Sequence, residues 1–507
     1  MRRPSVLSGR HMQIHEFLGN QVEMRADAIA IQDWDTTPWS YQKEWSAAKA
    51  GADVLTLAGV QRGDRVLMVT ENCATLCAFI YACSLIGAWA VPVNARQTEA
   101  ELNRIIEHAT PKIALFMSSV SPDAKSHGAR MNARDVNGAW GRVMMVELGA
   151  SNPAREPDVA VMLYTTGTTG TPKGVMLTHS NLVYAGQTSA DTRGMTPSDT
   201  VYGALPMTHV FGLASMLMAA TFAGATIRLE ARFTAAKLYE ALTSGVTILP
   251  AVPQMHALLM QYTSEQGIES IAGGPLRYVS SGAAPLDPVW KRKAEAFYGI
   301  ALQNGYGMTE TSAGVCTTKS LIGDPDISVG PPLKGVEIKI DESAEGGGIG
   351  IGEVLTRGPH IMLGYFRNDD ATHKALDKDG WMHTGDLGKI DEHGLLHILG
   401  RSKELIIRGG FNIYPPEVEA AINDHPSVIQ SAVIGRRTAT GDEEVLAFVQ
   451  VPTLDAVTTE DLHTFSAARL SGYKRPCQII LTLSLPAAPT GKLLKHKLLD
   501  TFVDQLV

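Results

Sequence analysis

The sequence predicts an α/β fold: a large N-terminal multi-layer α/β domain followed by a small mobile α+β domain. From about residue 12 to 400, short apolar strand-like runs alternate with helical patterns, as in layered folds with largely parallel strands. A chain of 507 residues exceeds what one hydrophobic core holds, so more than one unit is expected. After "GRSKELIIRGG" (400–410) the texture changes, and a compact run of strands and helices follows. The division is placed at 1–401 and 402–507.

Along the first part, "DRVLMV" (64–69) reads as a strand and "CATLCAFIYACSLIG" (73–87) as an apolar helix closed by glycine. "EAELNRIIEHA" (99–109) reads as a helix and "KIALFM" (112–117) as the next strand. "VAVML" (159–163) and "GVML" (174–177) read as strands flanking a polar loop. The cluster "EGGGIGIGEV" (345–354) lacks the G-x-G-x-x-G spacing of a dinucleotide site and reads as a turn entering a strand. In the second part, "PPEVEAAIND" (415–424) reads as a helix opened by proline. "VIQSAVIG" (428–435), "EEVLAFVQV" (443–451) and "QIILTLSL" (478–485) read as strands, and "TEDLHTFSAARL" (459–470) as a helix. One last helix is expected over "LLKHKLLDTFVDQL" (493–506).

Composition narrows the function classes. Apolar residues make up 45% and charged ones 19%, as in a well-buried globular protein, and the net charge of −8 gives no general attraction to nucleic acid or anionic membrane. Five cysteines in so long a chain make no disulfide framework, and the C-x3-C-x5-C spacing of Cys73, Cys77 and Cys83 is not that of a zinc site. The uncharged stretches 73–95 and 200–227 are broken by Pro, Gly and polar residues, so they read as buried core and no transmembrane segment is expected. The arginines at the start precede no apolar stretch of an export signal. Residues 1–11 read as an upstream extension before Met12, and a reducing, cytoplasmic setting is expected.

The polar loop is "YTTGTTGTPKGV" (164–175). Glycines let successive backbone N–H groups converge on an anion, threonine hydroxyls add donors without bulk, and one lysine supplies a point charge. Gly167, Gly170 and Gly174 with Thr165, Thr166, Thr168, Thr169 and Lys173 meet that requirement for the phosphates of a nucleotide. The Walker A pattern fails: counted from Gly167, its second glycine would be Pro172 and its metal-binding Ser/Thr would be Gly174.

Together with the motifs that follow it in order, this loop resembles the adenylate-forming (AMP-binding) superfamily, which contains acyl-CoA synthetases, peptide-synthetase adenylation domains and luciferases. The resemblance covers nearly the whole chain. It implies that His209 in "LPMTHVFGL" (205–213) gates the carboxylate of the acid, and that Gly282 and Ala283 in "SSGAAPL" (280–286) line the adenine. In "NGYGMTET" (304–311) it places Tyr306 on the adenine, Thr309 on the α-phosphate and Glu310 on Mg²⁺, with Thr166 as a second metal contact. Asp386 in "HTGDLG" (383–388) and Arg401 would hold the ribose, while Lys403, Gly409 and Gly410 match the hinge and the pantetheine tunnel. Lys492 in "PTGKLLKHKL" (489–498) matches the lysine that reaches from the small domain into the nucleotide site, whereas Lys495 and Lys497 read as solvated.

The implied chemistry is that of an ATP-dependent carboxylic acid–CoA ligase using ATP, CoA and Mg²⁺, with release of AMP and pyrophosphate. From Thr200 to Leu229 there is no Asp or Glu to pair an amino-acid ammonium, so a fatty or aryl acid is favoured. A dicarboxylate would need a pocket arginine, for which Arg228 and Arg277 are the candidates. The alternative acceptor is a carrier protein; a non-catalytic nucleotide-binding relative and a P-loop kinase or ATPase fit the motifs less well. The resemblance admits a homodimer and calls for no nucleic-acid partner.

Overall fold

The computed structural model describes residues 12–506 except 34–36, 157, 167–171, 283–285, 439–441 and 488–492, and the Thr166 side chain also lies outside the described part. Two eight-stranded sheets form the body of the first part. In one, Ile29–Gln32, Thr226–Leu229, Thr200–Gly203, Ile248–Ala251, Tyr278–Gly282 and Leu302–Tyr306 run parallel, with short antiparallel edges Trp39–Ser40 and Cys316–Thr317. In the other, Ile113–Phe116, Arg65–Thr70, Trp89–Asn94 and Val159–Thr166 run parallel. Antiparallel strands complete it on both sides, including Pro172–Thr178 and Gly364–Tyr365.

Arg65–Thr70 and Trp89–Asn94 are buried at every position, and so read as continuous apolar runs rather than alternating ones. The helix between them, Ala74–Ile86, is almost wholly buried and ends at Gly87 in the left-handed conformation that glycine adopts without a Cβ penalty. It packs on Tyr41–Leu57, with Gly51 allowing the close approach: a Cβ there would lie 3.1 Å from that of Ala82. Cys73, Cys77 and Cys83, at its start and within it, are buried, burial pushes the Cys73 thiol up to about 12, and those of Cys77 and Cys83 are likewise raised. These are packing residues, and among the described residues no helix is long and apolar enough to cross a membrane.

A four-stranded antiparallel sheet of Glu337–Asp341, Gly352–Arg357, Met382–Ile390 and Leu396–Arg401 follows. Beyond it lie the hairpin Ile406–Arg408/Phe411–Ile413 and a three-stranded sheet of Gln430–Arg437, Glu443–Gln450 and Gln478–Thr482, packed with helices Pro415–Asn423 and Thr459–Ala467. The expected α/β architecture is thus present, as a large layered unit and a small α+β one.

The final helix differs from expectation. Its residues form the 3₁₀ turn Lys495–Lys497, a one-turn helix Leu498–Thr501 and a second 3₁₀ turn Val503–Gln505. Leu493 is held instead in an antiparallel bridge to Ala487, and the Leu494 N–H donates to the Pro486 carbonyl at 2.8 Å, so these residues extend a strand-like pairing rather than the helix. Lys495 is not solvated: its ammonium lies 2.7 Å from Glu419 and 3.4 Å from Glu404.

Candidate functional site

In open α/β sheets ligands bind beyond the carboxyl ends of the strands. Four of the predicted residues, Thr165, Thr166, Gly282 and Tyr306, lie at such strand ends. Thr165 and Thr166 end the strand Val159–Thr166, which pairs antiparallel with Pro172–Thr178 so that Thr165 faces Lys173. Gly167, Thr168, Thr169 and Gly170 lie outside the described residues. In the other sheet Gly282 ends Tyr278–Gly282 and pairs with Gly305, beside Tyr306 at the end of the next strand. A Cβ added to Gly282 would lie 3.2 Å from the Phe211 ring, so glycine there lets the aromatic side of "HVFG" close against the strand end. Ala283 lies outside the described residues.

His209 precedes a short helix whose next six residues, Leu213–Met218, form a π-helix, a geometry that recurs at functional sites. The guanidinium of the buried Arg193 donates to the Ser215 carbonyl of this segment. His209 itself is half-buried beside Val210, which is 7% exposed.

Two contact chains organise the polar side. In one, the Tyr306 hydroxyl donates to Asp386 Oδ2 at 2.5 Å, and Arg401 Nε lies 3.1 Å from Asp386 Oδ1. Asp386 is buried; its backbone N–H donates to Thr384 Oγ1, which donates in turn to the Val354 carbonyl. Burial first and then the Asp386 charge push the Tyr306 hydroxyl well up, so it stays a proton donor. Asp386 and Arg401 meet because their strands pair in register at those residues.

In the other chain, the Tyr365 hydroxyl donates to Glu310 Oε1 at 2.8 Å, while Lys173 Nζ lies 4.7 Å over the Tyr365 ring. Glu310 is 7% exposed, and its Oε2 takes no hydrogen bond from the described residues. The half-buried Thr309 hydroxyl beside it is also uncommitted among them. Thr208 Oγ1, Ser281 Oγ and Ser312 Oγ are buried without a hydrogen-bond partner. No group of three or more His, Cys, Asp or Glu among the described residues could hold a metal ion. One free carboxylate oxygen fits Mg²⁺, which keeps waters and takes its remaining ligands from substrate phosphate.

Other predicted residues lie apart. Gly409 and Gly410, with φ of 58° and 80°, form the two-residue turn of the Ile406–Ile413 hairpin, where left-handed values match the strand twist. They and Lys403 are exposed on the small unit. Lys492 lies outside the described residues. Of the two arginines considered for a second substrate carboxylate, Arg277 is committed to Asp199 at 2.6 Å and Arg228 to Glu240 at 2.9 Å. Sequence reasoning missed Tyr365 and Thr384. The signal for Tyr365 was the aromatic in "GYFRN", eighteen residues before the start of "HTGDLG", a motif already singled out.

Comparison with known proteins gives a consistent picture. The model of the AMP-binding enzyme family matches residues 18–366, and that of the AMP-binding enzyme C-terminal domain matches 417–492. A 2-succinylbenzoate–CoA ligase of Bacillus mycoides is 33% identical over 452 residues, covering 88% of this chain and 90% of the relative. A 4-coumarate–CoA ligase of Oryza sativa subsp. japonica is 28% identical over 521 residues, covering 98% and 93%. Among solved structures, ATP-bound MatB from Rhodopseudomonas palustris matches with a TM-score of 0.82 at 31% identity, covering 97% of this chain and 100% of that one. MenE from Bacillus subtilis in complex with its acyl-adenylate intermediate OSB-AMP matches with a TM-score of 0.78 at 28% identity, covering 95% and 97%.

Proposed function

The chain belongs to the AMP-binding enzyme family, and from that premise we propose that it is an AMP-forming carboxylic acid–CoA ligase. It activates an acid as acyl-adenylate with ATP and transfers the acyl group to CoA, releasing AMP and pyrophosphate. The observation that carries this reading is the Tyr306–Asp386–Arg401 cluster, which offers a carboxylate and an aromatic ring to a nucleoside beside Glu310 and Lys173. We place the boundary between the two lobes at Arg401/Ser402, where the four-stranded sheet ends.

Attack of a carboxylate on the α-phosphate brings two anions together, so the protein's main task is charge neutralisation and in-line positioning. Bound Mg²⁺ supplies a Lewis acid that draws charge from the phosphate oxygens. Glu310, with Thr166, would hold the ion; Thr309 would donate toward the α-phosphate; Lys173 and the glycine-rich loop would take the remaining phosphates. Lys492 brings a further cation from the small lobe. No general base is needed, because a carboxylic acid is already ionised at neutral pH. In the second step CoA thiol attacks the acyl carbon and AMP leaves, with the small lobe turning at Lys403 so that Gly409 and Gly410 line the pantetheine path.

His209 and Phe211 frame the acid while Gly282 lines the adenine, and the small, apolar stretch 211–225 favours a fatty or aryl acid. The commitment of Arg277 and Arg228 to carboxylates supports a single-carboxylate substrate. Cytoplasmic location and a homodimer complete the proposal. It is tested by assaying a panel of acids for AMP formation with and without CoA. Acid-dependent AMP release that is stimulated by CoA is expected, and its absence across fatty, aryl and dicarboxylic acids refutes the reading.

A further inference from the structure

Tyr365 touches both charged groups proposed to flank the phosphates. Its hydroxyl donates to Glu310 at 2.8 Å, and its ring face lies 4.7 Å below the Lys173 ammonium. The residue is 7% exposed and sits in the two-residue strand Gly364–Tyr365. That strand pairs with Pro172–Thr178 as it leaves the phosphate loop, Tyr365 opposite Val175 and Gly364 opposite Met176. The Phe366 N–H donates to the Gly174 carbonyl at 2.8 Å, and the Leu363 N–H to the Met176 carbonyl at 3.0 Å. Tyr365 is fixed further by its own N–H, which donates to Thr372 Oγ1 at 2.9 Å. Glu310 is tied to the same ladder, because its carbonyl accepts the Met362 N–H at 2.9 Å. Lysine, tyrosine and glutamate are thus mounted on one rigid frame although they come from three distant parts of the chain.

We propose that Tyr365 is a positioning residue for the metal–nucleotide site, with separable duties for its two ends. The hydroxyl occupies Glu310 Oε1 and so presents Oε2 toward the metal. The ring holds the Lys173 ammonium by cation–π attraction at the mouth of the loop. A carboxylate without that hydrogen bond would sample other rotamers and bind the metal with both oxygens or neither. This deepens the ligase reading and rests on its assignment of Glu310 to Mg²⁺.

The test compares wild type with Tyr365→Phe and Tyr365→Leu at matched thermal stability. Mn²⁺, a paramagnetic stand-in for Mg²⁺, is titrated into the ATP complex and followed by electron paramagnetic resonance, so that no turnover is required. Tyr365→Phe is expected to raise the Mn²⁺ dissociation constant about fivefold or more while leaving metal-free ATP affinity unchanged. Tyr365→Leu should add a weakening of metal-free ATP binding several-fold. Coincident Mn²⁺ titrations for wild type and Tyr365→Phe, or a Leu variant whose ATP affinity matches wild type, would overturn the assignment. Because binding rather than acid activation is read, this outcome is separate from failure of the acid panel.

Discussion

Replacing Glu44 by glutamine is expected to flatten the alkaline side of the stability profile. Glu44 lies in the helix Tyr41–Leu57, is 1% exposed, and its Oε1 has no hydrogen-bond partner. Around it are Tyr41 on its own helix and Cys77 and Tyr81 on Ala74–Ile86. Burial raises its carboxyl from 4.5 to about 8, so the folded protein keeps a proton that the unfolded chain has lost. The folded state therefore binds more protons across this window, and stability falls as pH rises through it. One proton held by the folded state corresponds to roughly 1.4 kcal/mol lost per pH unit between the two values. His179, His256 and His360 act in the opposite sense: burial lowers each from 6.5 to about 4, so their contribution is present above 6.5 and lost as pH falls toward 4. Between pH 6.5 and 8 the glutamate slope stands clear of the histidines. Urea unfolding of wild type and Glu44→Gln should be compared at several pH values in that range. The difference in unfolding free energy should widen in favour of the glutamine variant as pH rises, and parallel profiles would refute the argument.

Three further outcomes follow from the site. Asp386→Asn leaves Tyr306 and Arg401 without the carboxylate between them and should lower kcat/KM for ATP about 100-fold, the loss of a few kcal/mol expected for a charged hydrogen-bond partner; ATP titrations of AMP formation read it. Lys492→Ala should abolish acyl-AMP formation yet still convert supplied acyl-AMP and CoA to thioester, measured as separate half-reactions; equal loss of both removes the lysine's proposed role. Phe211→Ala removes the ring that closes on Gly282 and should shift preference toward bulkier acids by roughly tenfold in relative kcat/KM, read from competing acids in one assay.

Much was legible because it is written locally. The apolar run "DRVLMV" located the strand Arg65–Thr70, and "EAELNRIIEHA" defined its helix from Glu99 to Ala109 without error. The predicted strand–loop–strand around 164–175 is the Val159–Thr166/Pro172–Thr178 hairpin. The tail was misread because "LLKHKLLDTFVDQL" has helical spacing, whereas its first residues are claimed by a bridge to Ala487 that no periodicity reveals. Lys495 looked solvated for the same reason: Glu404 and Glu419 are far from it in sequence.

By itself the sequence determined the layered α/β class, the order of the motifs and the chemical types brought to the nucleotide: hydroxyls, glycines, one loop lysine and acids in fixed local settings. Only the tertiary structure decided which of these touch. Tyr365 reaches Glu310 across 55 residues, and Tyr306 reaches Asp386 across 80, because strand order and register bring those ends together. Side-chain period is a property of a few consecutive residues, while a hydrogen bond between distant strands depends on how whole sheets pair and twist.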